Sequence, residues 1–142
     1  MIVVDASIAA KWYLNEFGSE EAAHVLTSGA ILLAPALIRI EVTGAIVRRF
    51  REGKLSLSRA REACALWEDD LAAGAIRLIS DDTLLGRARE LALQIRHAIQ
   101  DCLYLSAAVE ANGARLVTAD PTFHTRASAV FPVVDLLVEK GR

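Results

Sequence analysis

Along this chain, short β-branched apolar runs alternate with stretches whose apolar positions recur every third or fourth residue, the two periodicities of strand and helix. Ile2–Val4 reads as a strand that breaks at the polar step of Asp5 and Ser7 and leads into a helical stretch through Leu14. A helix is expected over about 20–27, closed by Ser28-Gly29, and then a strand over 31–34 that Pro35 ends. Residues 36–51 predict a long helix, apolar at its start and basic at Arg48, Arg49 and Arg51. Gly53 and Lys54 break it, and Ser56 or Ser58 is placed to cap the next helix, which carries Ala60, Ala63, Cys64 and Trp67 on one face. Further on, 76–79 reads as a strand, Asp81 or Asp82 as the cap of a helix, and 99–112 as another helix ended by a left-handed Asn112-Gly113. Arg115–Thr118 is a strand, Pro121 opens a short helix, and 133–137 predicts a last strand.

Strands spaced by helices argue for an α/β fold: one domain with a central, mostly parallel sheet flanked by helices on both faces. At 142 residues and 54% hydrophobic content the chain is long and apolar enough for one substantial core. Its formal charge of −2 gives no overall field to draw in a polyanion, so any nucleic-acid contact must use local patches. Cys64 and Cys102 lack the close spacing of a zinc or redox pair and are expected as reduced core thiols. There is no basic segment leading an apolar one at the N-terminus and no run of membrane-spanning length, so a cytoplasmic protein is expected.

Four acids stand out against this apolar pattern. Asp5 in MIVVDASIAA, Glu41 in PALIRIEVTGAIV, Asp101 in IQDCLYLSAAV and Asp120 in LVTADPTF are each the only acid of their stretch. An ionised carboxylate in a core-forming segment needs a partner, and a shared divalent cation is an economical one; oxygen donors suit Mg²⁺ or Mn²⁺. Asp5 and Asp120 each follow a strand directly, which puts both at the carboxyl edge of the sheet, where α/β folds bind their ligands. Asp101 falls in the first turn of its helix and Glu41 inside its own.

Each acid also has a plainer reading. Asp120 before Pro121 is a helix cap, Asp5 can cap the helix after it, Asp101 suits the positive end of a helix dipole, and Glu41 can face solvent. Isolation alone is not diagnostic, since Asp135 and Glu110 are isolated too: Asp135 is expected on an edge strand and is the fifth acid to test, and Glu110 is expected to face solvent. Asp69, Asp70, Asp81 and Asp82 read as a solvated face and a cap. His24, His97 and His124 are too dispersed for a helical zinc pair, and none is given a catalytic role.

The opening VVDASIAAKW, the segment PALIRIEV and the block QDCLYLSAAVEANGARLVTADPTF, with the overall length, resemble PIN-domain ribonucleases, and among them the VapC-type toxins of prokaryotic toxin–antitoxin pairs. The resemblance spans nearly the whole chain and is most specific in the last block. It lays the family's acidic quartet on Asp5, Glu41, Asp101 and Asp120, and its small hydroxyl residues on Ser7 and Thr118, as donors that orient ligands or water. Two departures are visible: Gly44 stands where an Asn is common, and Gln100 where an aromatic often precedes the third Asp. Neither removes a carboxylate.

What the resemblance implies is a single PIN domain over residues 1–142 that hydrolyses RNA phosphodiester bonds with Mg²⁺, or Mn²⁺, through an activated water. Asp5 and Asp101 are then the principal metal ligands, with Asp120 and Glu41 completing the site. It further implies a homodimer and a VapB-type antitoxin that lays a helix or extended tail in a groove. The apolar cluster of Trp12, Tyr13, Leu14 and Phe17 is expected to be mostly ordinary core, with part of it facing a partner. Arg39, Arg48 and Arg49 are the expected phosphate contacts, against the plainer reading of a solvated basic helix end. Two alternatives stay open: a PIN-fold module that binds RNA or a partner without cutting, and a receiver-like regulatory domain, for which Lys140 lies too near the terminus to serve as the late lysine.

Overall fold

The computed structural model describes residues 1–137, so Lys140 lies outside the described residues. Five strands form one sheet: β1 (Ile2–Val4), β2 (Leu32–Pro35), β3 (Arg77–Ile79), β4 (Arg115–Thr118) and β5 (Val134–Leu136). They lie in the order β3-β2-β1-β4-β5, and every pairing is parallel. The expected sheet is therefore present in its all-parallel form. Its order also differs from the 2-1-3-4-5 order of receiver-like domains, which removes that alternative.

The chain starts at the centre of the sheet, moves outward through β2 and β3, and returns to build β4 and β5 on the other side. The reversal falls between β1 and β4, where Val4 stands in register with Val117. A crevice forms beyond the strand ends at such a reversal. Strands this short are stable here because the three central ones are buried, while β3 and β5 form the more open edges.

The helices are α1 (Ala6–Ala9), α2 (Ser19–Leu26), α3 (Ile38–Arg51), α4 (Leu57–Ala72), α5 (Asp81–Ile95), α6 (Ile99–Glu110) and α7 (Pro121–Ser128). The stretch expected to stay helical through Leu14 instead passes from α1 into a single 3₁₀ turn, Ala10–Trp12. Pro35 ends inside β2 and pairs with Ile79, one residue beyond expectation. Ser56 caps α4 by accepting from the Arg59 amide, as its position predicts. The N-cap of α5 is Ser80, not Asp81 or Asp82; the Asp81 carboxylate accepts from the Leu37 amide at 3.0 Å and so ties the start of α5 to the start of α3. Gly113 is left-handed, as expected, but α6 has already ended at Glu110.

α6 is the central helix. Every residue from Cys102 to Ala108 is buried, so it cannot show a polar face, and its two buried hydroxyls need internal acceptors. Ser106 donates to the Leu84 carbonyl at 3.1 Å, and Tyr104 donates to Glu41. Among the described residues, Trp67 and Phe123 are the other fully buried large aromatic side chains. Trp67 stacks obliquely on Tyr13, whose hydroxyl donates to Asp70, so Asp70 is a structural acceptor and not simply part of a solvated face. Leu14 is buried and Phe17 is exposed. Both cysteines are free, and burial, followed by the charge of Asp101, pushes the Cys102 thiol up to about 11. Among the described residues no helix is long and apolar enough to cross a membrane.

Candidate active site

β1 delivers Asp5 to the sheet edge: its amide bonds to the Val117 carbonyl of β4 at 3.0 Å, and its carbonyl accepts from Ile8 as α1 begins. Although Asp5 occupies the N-cap position, its side chain makes no capping bond. The carboxylate turns instead toward β4, where Oδ2 accepts from Ser7 Oγ and Thr118 Oγ1, each at 2.7 Å. Both hydroxyls are themselves fixed, Ser7 by the Ala119 amide at 3.0 Å and Thr118 by the Asp120 amide at 3.1 Å. Hydroxyls that receive an amide proton must donate their own, so the local backbone aims two donors at one carboxylate oxygen.

These donors favour the ionised form of Asp5, yet its carboxyl is raised to about 6. Burial is the largest cause, and the charges of Asp101 and Glu41 add to it. Glu41 is raised for similar reasons: it is half-buried, and Asp101 and Asp81 repel its charge, while the Tyr104 hydroxyl at 2.6 Å works the other way. Asp101, in the first turn of α6, is held by His97 Nε2 at 2.6 Å. Three of the four acids singled out from the sequence thus lie within electrostatic reach of one another, although they come from β1, α3 and α6.

The fourth behaves differently. Asp120 is at the same edge and borders the same cavity as Glu41 and Ser7, but its Oδ1 accepts from the Thr122 and Phe123 amides at 2.9 and 3.1 Å. Its plainer reading as a helix cap is realised. Among the described residues, no group of three or more His, Cys, Asp or Glu side chains is drawn together closely enough to hold an ion. What the edge provides is concentrated negative charge on oxygen donors, without a closed coordination cage.

A cavity of about 510 Å³ borders two of these acids, Glu41 and Asp120, and is also lined by Ser7, Lys11, Arg48 and Arg49 among others. Glu41, Ala45 and Arg48 share one face of α3, which carries the basic end of that helix onto the wall. Arg49 also borders a second cavity of about 560 Å³ with Lys54 and Arg59. Arg39 does not line either; its Nε donates to the Ala36 carbonyl at 3.4 Å.

Sequence reasoning missed three neighbours. Lys11, four residues after Ser7 and so on its face, binds Glu16 and the Phe17 carbonyl. Tyr104 is one turn beyond Asp101, and a tyrosine in an all-apolar helix always raises the question of its acceptor. His97 is the third. Of the other histidines, His24 is exposed and His124 bonds the Val134 carbonyl at 3.1 Å.

Asp135, held in reserve as a fifth acid, sits on edge strand β5 and makes two 2.7 Å bonds to Arg115 on β4. Glu110 pairs with Arg87 at 2.6 Å on the surface, as its exposure predicts. Asp135→Asn is therefore expected to leave any activity of the site unchanged and to cost less than about 1 kcal/mol in a denaturation experiment, because an exposed pair contributes little. A loss of activity in this variant would return Asp135 to the site.

A family model described as PIN domain matches residues 2–128. Among solved structures, the chain is similar to a toxin–antitoxin complex from Klebsiella pneumoniae, with a TM-score of 0.63 and 17% identity over 99% of this chain and 100% of that one. No curated protein matches the chain.

Proposed function

The chain belongs to the PIN domain family, and on that premise we propose that it is a Mg²⁺-dependent endoribonuclease, with Mn²⁺ as the alternative ion, acting in the cytoplasm as the toxin of a type II toxin–antitoxin pair. The observation that carries this reading is that Asp5, Glu41 and Asp101 lie within electrostatic reach of one another, with Glu41 and Asp120 on a cavity that Arg48 and Arg49 also line, while burial raises the proton affinity of Asp5 and Glu41.

The donor set fits a hard divalent cation. All donors are carboxylate oxygens, and Asp5 is too buried for water to screen its charge from Asp101 and Glu41, so a cation would relieve the repulsion among them. Asp5 and Asp101 would hold the ion, with Glu41 and Asp120 completing the site. When bound, the ion supplies charge neutralisation at the scissile phosphate and makes water a better nucleophile. The chain's own part is positioning: Ser7 and Thr118 fix Asp5, Tyr104 fixes Glu41, and Arg48 and Arg49 hold phosphates of the RNA strand along the cavity.

The proposed protein partner is a VapB-type antitoxin, supported by the fold shared with a chain of a toxin–antitoxin complex. Val47, Phe50 and Leu57 leave apolar surface exposed around a cavity of about 320 Å³ between α3 and α4, a face suited to a partner helix or to the second copy of a homodimer.

A labelled RNA incubated with purified protein tests the reading. Cleavage is expected with Mg²⁺, none with EDTA, and full recovery when Mg²⁺ is restored in excess. Cleavage that persists in EDTA sinks it. A second reading, a PIN-fold module that binds without cutting, is favoured by the commitment of Asp120 to its helix cap; RNA retained on the protein but left intact in Mg²⁺ and Mn²⁺ would establish it.

A further inference from the structure

The three-residue link between α5 and α6 contains the one non-glycine residue with positive φ among those described, Arg96 at φ 55 and ψ 50. Any residue with a Cβ costs about 1 kcal/mol or more in this region, so the turn is held by something else. That something is α7: Arg126 Nη1 donates to the Arg96 carbonyl at 2.6 Å. The turn presents the next residue, His97, to the sheet edge.

His97 is enclosed on three sides. Its ring lies nearly parallel to that of Phe123, with centroids 5.1 Å apart and planes at 18°. Its side chain is only 9% exposed. Nε2 is 2.6 Å from Asp101 Oδ2, and Nδ1 is 3.4 Å from Arg126 Nη1. A guanidinium can only donate, so Nδ1 must accept, and the ring proton must then be on Nε2, directed at Asp101. Phe123 and Arg126 are one turn apart on α7, whose cap is Asp120. A single short helix therefore carries one candidate acid and shapes the support of another.

We propose that His97 is the positioning residue of Asp101: an imidazole whose Nε2–H is aimed by Arg126 and clamped by Phe123, so that it fixes one carboxylate oxygen and leaves the other directed to the cation. The inference rests on Asp101 being a metal ligand as read above. A ring N–H held from both sides suits the task because it orients the carboxylate oxygen it binds and leaves the second oxygen free.

Two measurements test it. Nitrogen-15 correlation spectra of the metal-free protein report the tautomer directly, and the Nε2–H pattern is expected for His97; an Nδ1–H pattern overturns the proposal. Calorimetric titration with Mn²⁺ alone, without RNA, is then compared among variants. His97→Phe keeps the stacking on Phe123 but removes the donor, and is expected to weaken Mn²⁺ binding about 10- to 100-fold. His97→Gln places an amide N–H near the Nε2 position and is expected to bind within a few-fold of wild type. Equal binding by wild type and His97→Phe overturns the positioning role and leaves the metal-site reading standing. Absence of Mn²⁺ binding by wild type removes both.

Discussion

Replacing Asp5 with Asn is expected to reduce RNA cleavage by about a thousandfold or more, the equivalent of about 4 kcal/mol in the activation barrier. The substitution is nearly isosteric. The Asn amide oxygen can occupy the place of Oδ2 and accept from both Ser7 and Thr118, so the local structure has little reason to change. What disappears is one negative charge from a group of three that repel one another, and with it a hard oxygen donor for the cation. Asp101→Asn should fall by a similar factor. Initial rates on a labelled RNA, with far-ultraviolet circular dichroism as the control for folding, decide the matter; retention of a tenth of wild-type activity by both variants would falsify the assignment of these acids.

The same Asp5→Asn variant is expected to be more stable than wild type by about 2–3 kcal/mol at pH 7 in EDTA. In the unfolded chain the Asp5 carboxyl has its ordinary value of 3.8, and in the folded chain burial, with smaller contributions from Asp101 and Glu41, raises it to about 6. Between those values the folded state holds the proton more tightly. This group's contribution to stability is therefore fully present below about pH 4 and is lost as pH rises toward 6 and beyond. Asn carries no such dependence, so the two proteins should have similar stability in mild acid and diverge as pH rises. Urea denaturation at a series of pH values reads this out, and a constant difference between them would show that desolvation of Asp5 is not the cause. Mg²⁺ should then stabilise wild type and barely affect the variant, since only a state that binds the ion gains from it. Opposite changes in activity and stability from one atom exchange are the mark of a site whose repulsion is retained for function.

Much of this arrangement was legible in the chain. β1 and the buried Leu116 and Val117 of β4 read as short apolar runs, so an acid at or just beyond the strand end, Asp5 or Asp120, locates the sheet edge without coordinates. The periodicity of α3 likewise indicates that Glu41 and Arg48 share a face. What could not be read was which way a carboxylate turns. Asp5 and Asp120 both stand at N-cap positions, yet one leaves its helix uncapped to meet Ser7 and Thr118 while the other caps. That choice depends on β4 lying beside β1, a contact between residues more than a hundred positions apart. Tyr104, Asp70 and Asp81 escaped for the same reason, since their partners are on other elements. His97 and Asp101 do have helical spacing, but His97 precedes α6 and reaches its partner through the left-handed turn at Arg96, which no propensity of arginine foretells.

The order of the strands also has a consequence for synthesis. β1 emerges first from the ribosome and takes the middle of the sheet, but its neighbour β4 is encoded more than a hundred codons later. Until Thr118 has been translated, Asp5 has Ser7 as its only hydroxyl donor and no neighbouring strand to turn it toward, so the acidic edge is assembled only as the last third of the chain is made.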